Sequence, residues 1–242
     1  MHESERWITK IFNDYLAGVG NAALRLVGME PAERPWHDFV VMQILVVVLL
    51  MVIFAILRSR ISYDRPGGLQ HIFELVYGFV KEQAEDQIGH AAHKYLAFFG
   101  TLFLFILTSN LIGLVPAFES PTMNAPVTAG CAVTTFVYYN FQGVLANGIK
   151  YLGHFVGPMW WLGPLMVPIE IVSHLARMLS LTVRLFANMF AGEQVTLVFI
   201  SLTKFLIPVI FMGLHFFVGI VQAYIFMLLA MVYVGGAVAH EH

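Results

Sequence analysis

Charge-free apolar runs alternate with polar segments along the chain, and their lengths predict its helices. Residues 39–57 run for 19 positions without a charged side chain, close to the ~20 needed to cross ~30 Å of hydrocarbon as a helix. Arg58 and Arg60 close that run. Residues 64–94 change character: Glu74, Lys81, Glu82, Glu85, Asp86, His90 and His93 surround an apolar stripe of Ile72, Phe73, Leu75, Val76, Phe79 and Val80, the pattern of an amphipathic surface or partner-facing helix. Two further charge-free runs follow at 95–115 and 125–148. The first ends in Ser109, Asn110, Gly113 and Pro116, a helix stop. The second carries Thr134, Thr135, Asn140 and Gln142, polar groups expected to find partners inside a bundle.

The last third reads differently. Pro158, Trp160, Trp161, Pro164 and Pro168 punctuate its start, with tryptophans suited to a membrane interface. The apolar run from 161 to 200 would be ~60 Å long as a helix, about twice the hydrocarbon thickness. No turn signal divides 169–190, so one long, strongly inclined helix is expected. The chain breaks near 201–208, and a second long helix to about residue 235 should return beside the first as an antiparallel hairpin. The fold class expected is an all-α polytopic membrane protein with about five to six membrane helices, the last two being this hairpin.

Ahead of the first span, Trp7, Ile8, Ile11, Phe12 and Tyr15 recur at helical spacing beside charged neighbours, as in a helix lying on an interface. No signal-peptide apolar core follows the initiator methionine. The organisation expected is an N-terminal amphipathic, external segment at 1–36, a first transmembrane helix at 37–60, a cytoplasmic polar segment at 61–94, two transmembrane helices in 95–150, and the hairpin in 151–242. Arg58, Arg60 and Arg65 after the first span, against Arg34 alone just before it, put the N-terminus outside. Lys150 marks a later cytoplasmic return, and the C-terminus is then cytoplasmic.

Composition narrows the function classes. Of the 242 residues, 59% are hydrophobic and 12% charged, so the bilayer is the solvent. A net charge of -2 supplies no basic field for nucleic acid. There is no Gly-rich phosphate loop, so nucleotide chemistry belongs to a partner. The single cysteine, Cys131, permits neither an internal disulfide nor a Cys-based metal site, and no cofactor is called for.

The outliers are the charges that remain. Between Thr122 and His240 the only acids are Glu170 and Glu193, and the only fixed cations are Lys150, Arg177, Arg184 and Lys204. A charge at the bilayer centre costs from about 2.5 to more than 10 kcal/mol, so such residues face protein or water and mark ion paths. Arg184 cannot relieve the cost by deprotonating. At ~100° per residue, Glu170, His174, Arg177, Arg184 and Asn188 share one helix face. Glu193, nine residues past Arg184, points half a turn away and lies ~13 Å farther along the axis. On the second long helix His215, Gln222 and Tyr233 also share a face, and in an antiparallel hairpin His215 could approach Glu193. Arg177 could instead be an interfacial anchor, and Glu170 and His174 could simply pair with the arginines. Neither a voltage sensor, which needs an Arg-rich helix, nor a His-Glu-x-x-His zinc protease fits.

The stretch Ser180-Leu181-Thr182-Val183-Arg184-Leu185-Phe186-Ala187-Asn188, continuing to Gly192 and Glu193, resembles the signature of the subunit a family of F-type ATP synthases. The likeness extends to Glu170, to Ser109-Asn110 with Gly113 and Pro116, to His215, to Gln222 and its neighbours, and to the Glu241-His242 ending. The resemblance implies a membrane stator subunit of the bacterial plasma (inner) membrane, packed by its hairpin against the c-ring. It also implies the peripheral-stalk subunit b and, indirectly, the F1 sector as partners. Protons are then the transported ion. By resemblance Arg184 faces the ring carboxylates and separates two proton half-channels, Glu193, His215 and Gln222 line the inlet, Glu170 lies on the outlet side, and Asn188 and Ser180 are polar helpers. His174, Arg177 and the first 66 residues take no role from it. A secondary transporter with a midplane arginine and carboxylate is the alternative; it would need a discontinuous helix with Gly or Pro beside the site, and 169–191 has neither.

Overall fold

The computed structural model describes residues 7–26, 28, 30–62, 66–115, 118–148, 163–202 and 206–238, and these form seven α-helices and two short 3-10 turns. In chain order they are α1 (Trp7–Leu26), α2 (Asp38–Arg60), α3 (Gly68–Ile88), α4 (Leu96–Ile112), α5 (Ala125–Asn147), α6 (Gly163–Leu202) and α7 (Leu206–Val238). Arg65, Pro116, Lys150, Pro158, Trp160, Trp161, Lys204 and the Glu241-His242 ending, on which parts of the sequence reading rested, lie outside the described residues.

The all-α polytopic class holds. Asp38–Arg60, Pro164–Leu202 and Pro208–Val238 are long and apolar enough to cross a membrane, and Leu96–Ile112 is a shorter apolar helix. α5 adds 23 residues without a charge. Sequence chemistry explains the ends: Asp38 lies in the first turn of α2 and Arg58 and Arg60 in its last, each matching the sign of the helix dipole. Gly89 (φ 76°) and Gly148 (φ 59°) follow the last turns of α3 and α5, in a left-handed conformation that only glycine adopts without strain. α2 turns Val47, Val48, Met51 and Val52 outward, as a helix solvated by lipid does.

α6 is one continuous helix of 40 residues with Pro168 near its start. At ~60 Å it exceeds the hydrocarbon thickness twofold, so it spans only by inclining. α7 runs antiparallel to it, since Arg177 meets Tyr233, Asn188 meets Gln222 and Gly192 meets His215. α7 is also the hub of the bundle, packed on α3, α4, α5 and α6. Its Phe226, Met227, Ala230, Met231 and Val234 are fully buried with Phe99 and Ile106 of α4 and Leu185 and Met189 of α6. At Gly235 the approach is so close that a Cβ would stand 2.9 Å from the Gln87 carbonyl oxygen of α3.

The amphipathic stripe of α3 divides. Val80 and Ala84 are buried toward α4 and α7, while Ile72 and Leu75 face outward. Tyr224 of α7 donates to Gln83 Oε1 at 3.0 Å, so α3 grips the hub by a polar contact as well. α1 packs on α2 through Ile8, Val41 and Met42. Asn13 clamps the return of the chain, donating to the Trp36 carbonyl and accepting from its N–H at 3.1 and 3.0 Å. Trp7, Ile11, Tyr15 and Val19 remain exposed along α1.

Two polar sets behave in opposite ways. Thr134, Thr135 and Asn140 donate to carbonyls four residues back in α5 itself. At the end of α4, by contrast, Asn110 donates to the Gly219 carbonyl of α7 at 2.9 Å and accepts from Thr122 at 2.6 Å, and Ser120 donates to the Ser109 carbonyl at 2.9 Å. That network ties α4, α7 and the loop into one unit. Asn110→Ala, which breaks two buried hydrogen bonds, should lower unfolding stability in detergent by about 1–2 kcal/mol; an unchanged denaturation midpoint would show the network carries no stability.

Candidate functional site

The site lies along the α6–α7 hairpin. On α6, Leu181, Leu185 and Met189 are buried against the core, and this apolar stripe sets the rotation of the helix. Ser180, Val183, Arg184, Ala187, Asn188 and Ala191 are therefore left on the exposed side. Small side chains flank the arginine, so its guanidinium stands clear of its neighbours. Arg184 Nη2 lies 3.5 Å from Ser180 Oγ, and among the described residues Arg184 joins no ion pair. It is a fixed cation presented outward.

The single polar stripe expected on α6 comes apart in the fold. Ser180, Arg184 and Asn188 stay on the exposed edge, whereas His174 is buried and Glu170 is only partly open. Glu170 Oε1 lies 3.2 Å from His174 Nε2 and 4.0 Å from Arg177 Nη2. Arg177 Cζ stands 5.7 Å from the centre of the Tyr233 ring, within cation–π range. Local pairing of Glu170 thus takes in His174 and Arg177 but not Arg184. The second face holds as expected: His215, Gln222 and Tyr233 all turn toward α6.

Two cavities open along the hairpin, one on each side of Arg184 in axial position. The first, of about 340 Å³, is lined by Asn188, Gly192, Val195, His215 and Val218 among others. His215 is 7% exposed, and its Nε2 is buried without a hydrogen-bond partner among the described residues. Its ring lies against Gly192, where a Cβ would meet Nδ1 at 3.0 Å; the glycine makes room for the imidazole. Asn188 at the lip donates to Gln222 Oε1 at 2.7 Å. Glu193 follows Gly192 on the half of α6 turned from Arg184, with Oε2 shielded from solvent. The second cavity, of about 300 Å³, is lined by Tyr139, Glu170, His174, Arg177, Val232 and Tyr233.

Between them the hairpin is packed with apolar side chains. Leu181, Leu185, Phe226, Met227 and Ala230 are buried at the level of Arg184. From Arg177 to Asn188, the nearest lining residues of the two cavities on α6, the axial distance is ~16 Å. The first cavity is walled mainly by apolar groups, with Asn188 and His215 as its polar members, whereas Glu170, His174, Arg177, Tyr139 and Tyr233 make the second polar. Two cavities thus lie on either side of a packed layer, with Arg184 presented outward at its level.

Sequence reasoning missed Tyr139 and the packing role of Gly192. A tyrosine in a charge-free span signals a hydroxyl that needs a partner, but the partner, His174, sits 35 residues on. Gly192 gave no sign apart from its place beside Glu193.

The profile of the family described as ATP synthase A chain matches residues 40–235. A protein of Solibacter usitatus (strain Ellin6076), named ATP synthase subunit a, is 66% identical over 233 residues, covering 96% of this chain and all of that one. Its namesake in Koribacter versatilis (strain Ellin345) is 49% identical over 98% of both chains. Another in Geobacter sulfurreducens is 41% identical over 81% of this chain and 86% of its own.

Proposed function

This chain belongs to the ATP synthase A chain family, and from that membership we propose that it is the stator subunit through which protons cross the membrane to turn a ring of c subunits. It is a multi-pass membrane subunit of the ATP synthase complex and lends that enzyme its ion path rather than its nucleotide chemistry. The observation that carries the reading is the pair of cavities at opposite ends of the hairpin, with outward-facing Arg184 level with the packed layer between them.

In this reading a proton enters the first cavity, lined by His215 and Asn188, is helped by Gln222, which is bonded to Asn188, and by the adjacent Glu193, and is handed to a carboxylate on the ring. The neutralised carboxylate can then move into lipid. After nearly a full turn it gives its proton to the second cavity and Glu170. Arg184, with Ser180 and Asn188 beside it, attracts each bare carboxylate that arrives and favours its ionised form. Its fixed charge also repels a proton that would pass straight between the cavities. Each proton crossing the membrane delivers ~2.3 kcal/mol per 100 mV, and only an interrupted path forces that energy through rotation.

Residues 151–242 form the working unit in this assignment, residues 1–150 the scaffold. The chain lies in the bacterial inner membrane, N-terminus outside and C-terminus cytoplasmic, beside the c-ring and subunit b, with F1 reached indirectly. The continuity of α6 weighs for a stator over a secondary transporter, whose central helices are interrupted at the site.

Cysteine labelling tests the two-cavity path. In a Cys131→Ser background of the assembled complex, Val195→Cys should react with a membrane-impermeant thiol reagent only from outside, and Val232→Cys only from the cytoplasmic side. Labelling of both from one side would refute two opposed half-channels.

A further inference from the structure

The second cavity contains a series of side-chain contacts, from Tyr139 through His174 to Glu170, that a role for Glu170 alone leaves unused. Glu170 precedes His174 by four residues and Arg177 by seven on α6, so the three side chains rise on one side of the helix. His174 is the joint. Its Nε2 reaches Glu170 Oε1 at 3.2 Å, and its Nδ1 is hydrogen-bonded to the hydroxyl of Tyr139 on α5. Tyr139 is 2% exposed and His174 6%, whereas the Glu170 side chain keeps 27% of its surface open. The two buried groups hold, and the acid reaches the cavity.

A neutral imidazole has one N–H and one bare nitrogen. Protonation at Nε2 satisfies both contacts at once: Nε2–H donates to the Glu170 carboxylate, and Nδ1 accepts from the Tyr139 O–H. The Tyr139 ring lies nearly parallel to the imidazole, at 18° with centroids 5.6 Å apart, and Phe136 closes on it edge-wise at 82°. Packing and hydrogen bonds thus select one ring orientation. Arg177, steadied over Tyr233, approaches the same carboxylate oxygen at 4.0 Å. One oxygen of Glu170 takes both of these contacts, and the residue lines the cavity.

We propose that His174 is a positioning residue for proton transfer at Glu170: held by Tyr139, it fixes the carboxylate at the cavity. The inference rests on the reading of Glu170 as a member of the cytoplasmic proton path. Its chemistry is hydrogen bonding rather than bulk, so substitutions can separate the two.

The test is ATP-driven proton pumping by the assembled complex in vesicles. His174→Phe keeps the ring and its stacking on Tyr139 but removes both hydrogen bonds, and should lower flux about tenfold, the scale on which misplacement of a transfer partner acts. His174→Gln, with an amide N–H for Glu170 and a carbonyl for Tyr139, should recover to within about threefold of the wild type. Wild-type pumping by His174→Phe overturns the proposal, as does a His174→Gln complex, assembled at normal yield, that pumps no better than His174→Phe. Should His174→Phe assemble poorly, Tyr139→Phe, which deletes one hydroxyl, decides: a loss of about threefold is expected, and unchanged flux refutes the role. Arg184→Ala measured in the same vesicles separates the two levels. Pumping retained there strikes the half-channel mechanism itself, whereas wild-type pumping by His174→Phe beside an inactive Arg184→Ala strikes His174 alone.

Discussion

Arg184→Ala should abolish coupled proton pumping while leaving the complex assembled, with ATP-driven acidification of vesicles falling by at least about a hundredfold, as when a preorganised charge is removed from a transfer site. The side chain is exposed in the single chain and joins no ion pair among the described residues, so its removal leaves no buried partner stranded and little folding energy at stake. What is lost is function. On the proposed mechanism, a ring carboxylate arriving at the hairpin would then have no cation to favour its ionised form, and a neutral carboxyl would pass the layer without giving up its proton. Arg184→Lys should recover little, because an ammonium is a strongly hydrated point charge that lacks the planar fork with which guanidinium meets a carboxylate. Coupled pumping above about a tenth of the wild-type rate in Arg184→Ala vesicles would refute the barrier role.

Much of this arrangement is legible in the chain, for a physical reason. Hydrocarbon tolerates so few charges that residues 39–57 announce α2 and Arg184 announces a site. The absence of Gly and Pro between 169 and 191 marks α6 as unbroken, and helical arithmetic puts His215, Gln222 and Tyr233 on one face. Rotation and register are harder. The apolar stripe of Leu181, Leu185 and Met189 turns α6 so that His174 goes inward and Arg184 outward, although the two belong to one nominal stripe. Which helix His174 meets depends on the axial level of α5, which is set by how α5 packs on α6 and α7. The same holds for Gly192 under His215 and Gly235 against Gln87: a glycine in a spanning helix announces close approach but not to what.

Glu193→Ala should cut ATP synthesis driven by an imposed proton gradient by about a hundredfold and His215→Ala by about tenfold, within the range that positioned proton-transfer groups contribute. Glu193 is the carboxylate nearest the first cavity in sequence and can accept and release a proton on that path. Loss of it leaves the first cavity without a carboxylate on the path. His215 is different: its ring is held against Gly192, and its buried Nε2 has no hydrogen-bond partner among the described residues. Removing the ring breaks no hydrogen bond at that nitrogen, so its loss costs less. Gly192→Ala supplies an intermediate case, because the added Cβ at 3.0 Å from Nδ1 shifts the ring without deleting it, and a loss of about threefold is expected. The order of the three losses matters as much as their size. Wild-type synthesis in Glu193→Ala and His215→Ala membranes would move the inlet elsewhere, and a Gly192→Ala defect exceeding that of His215→Ala would assign the first cavity to helix packing rather than to proton transfer.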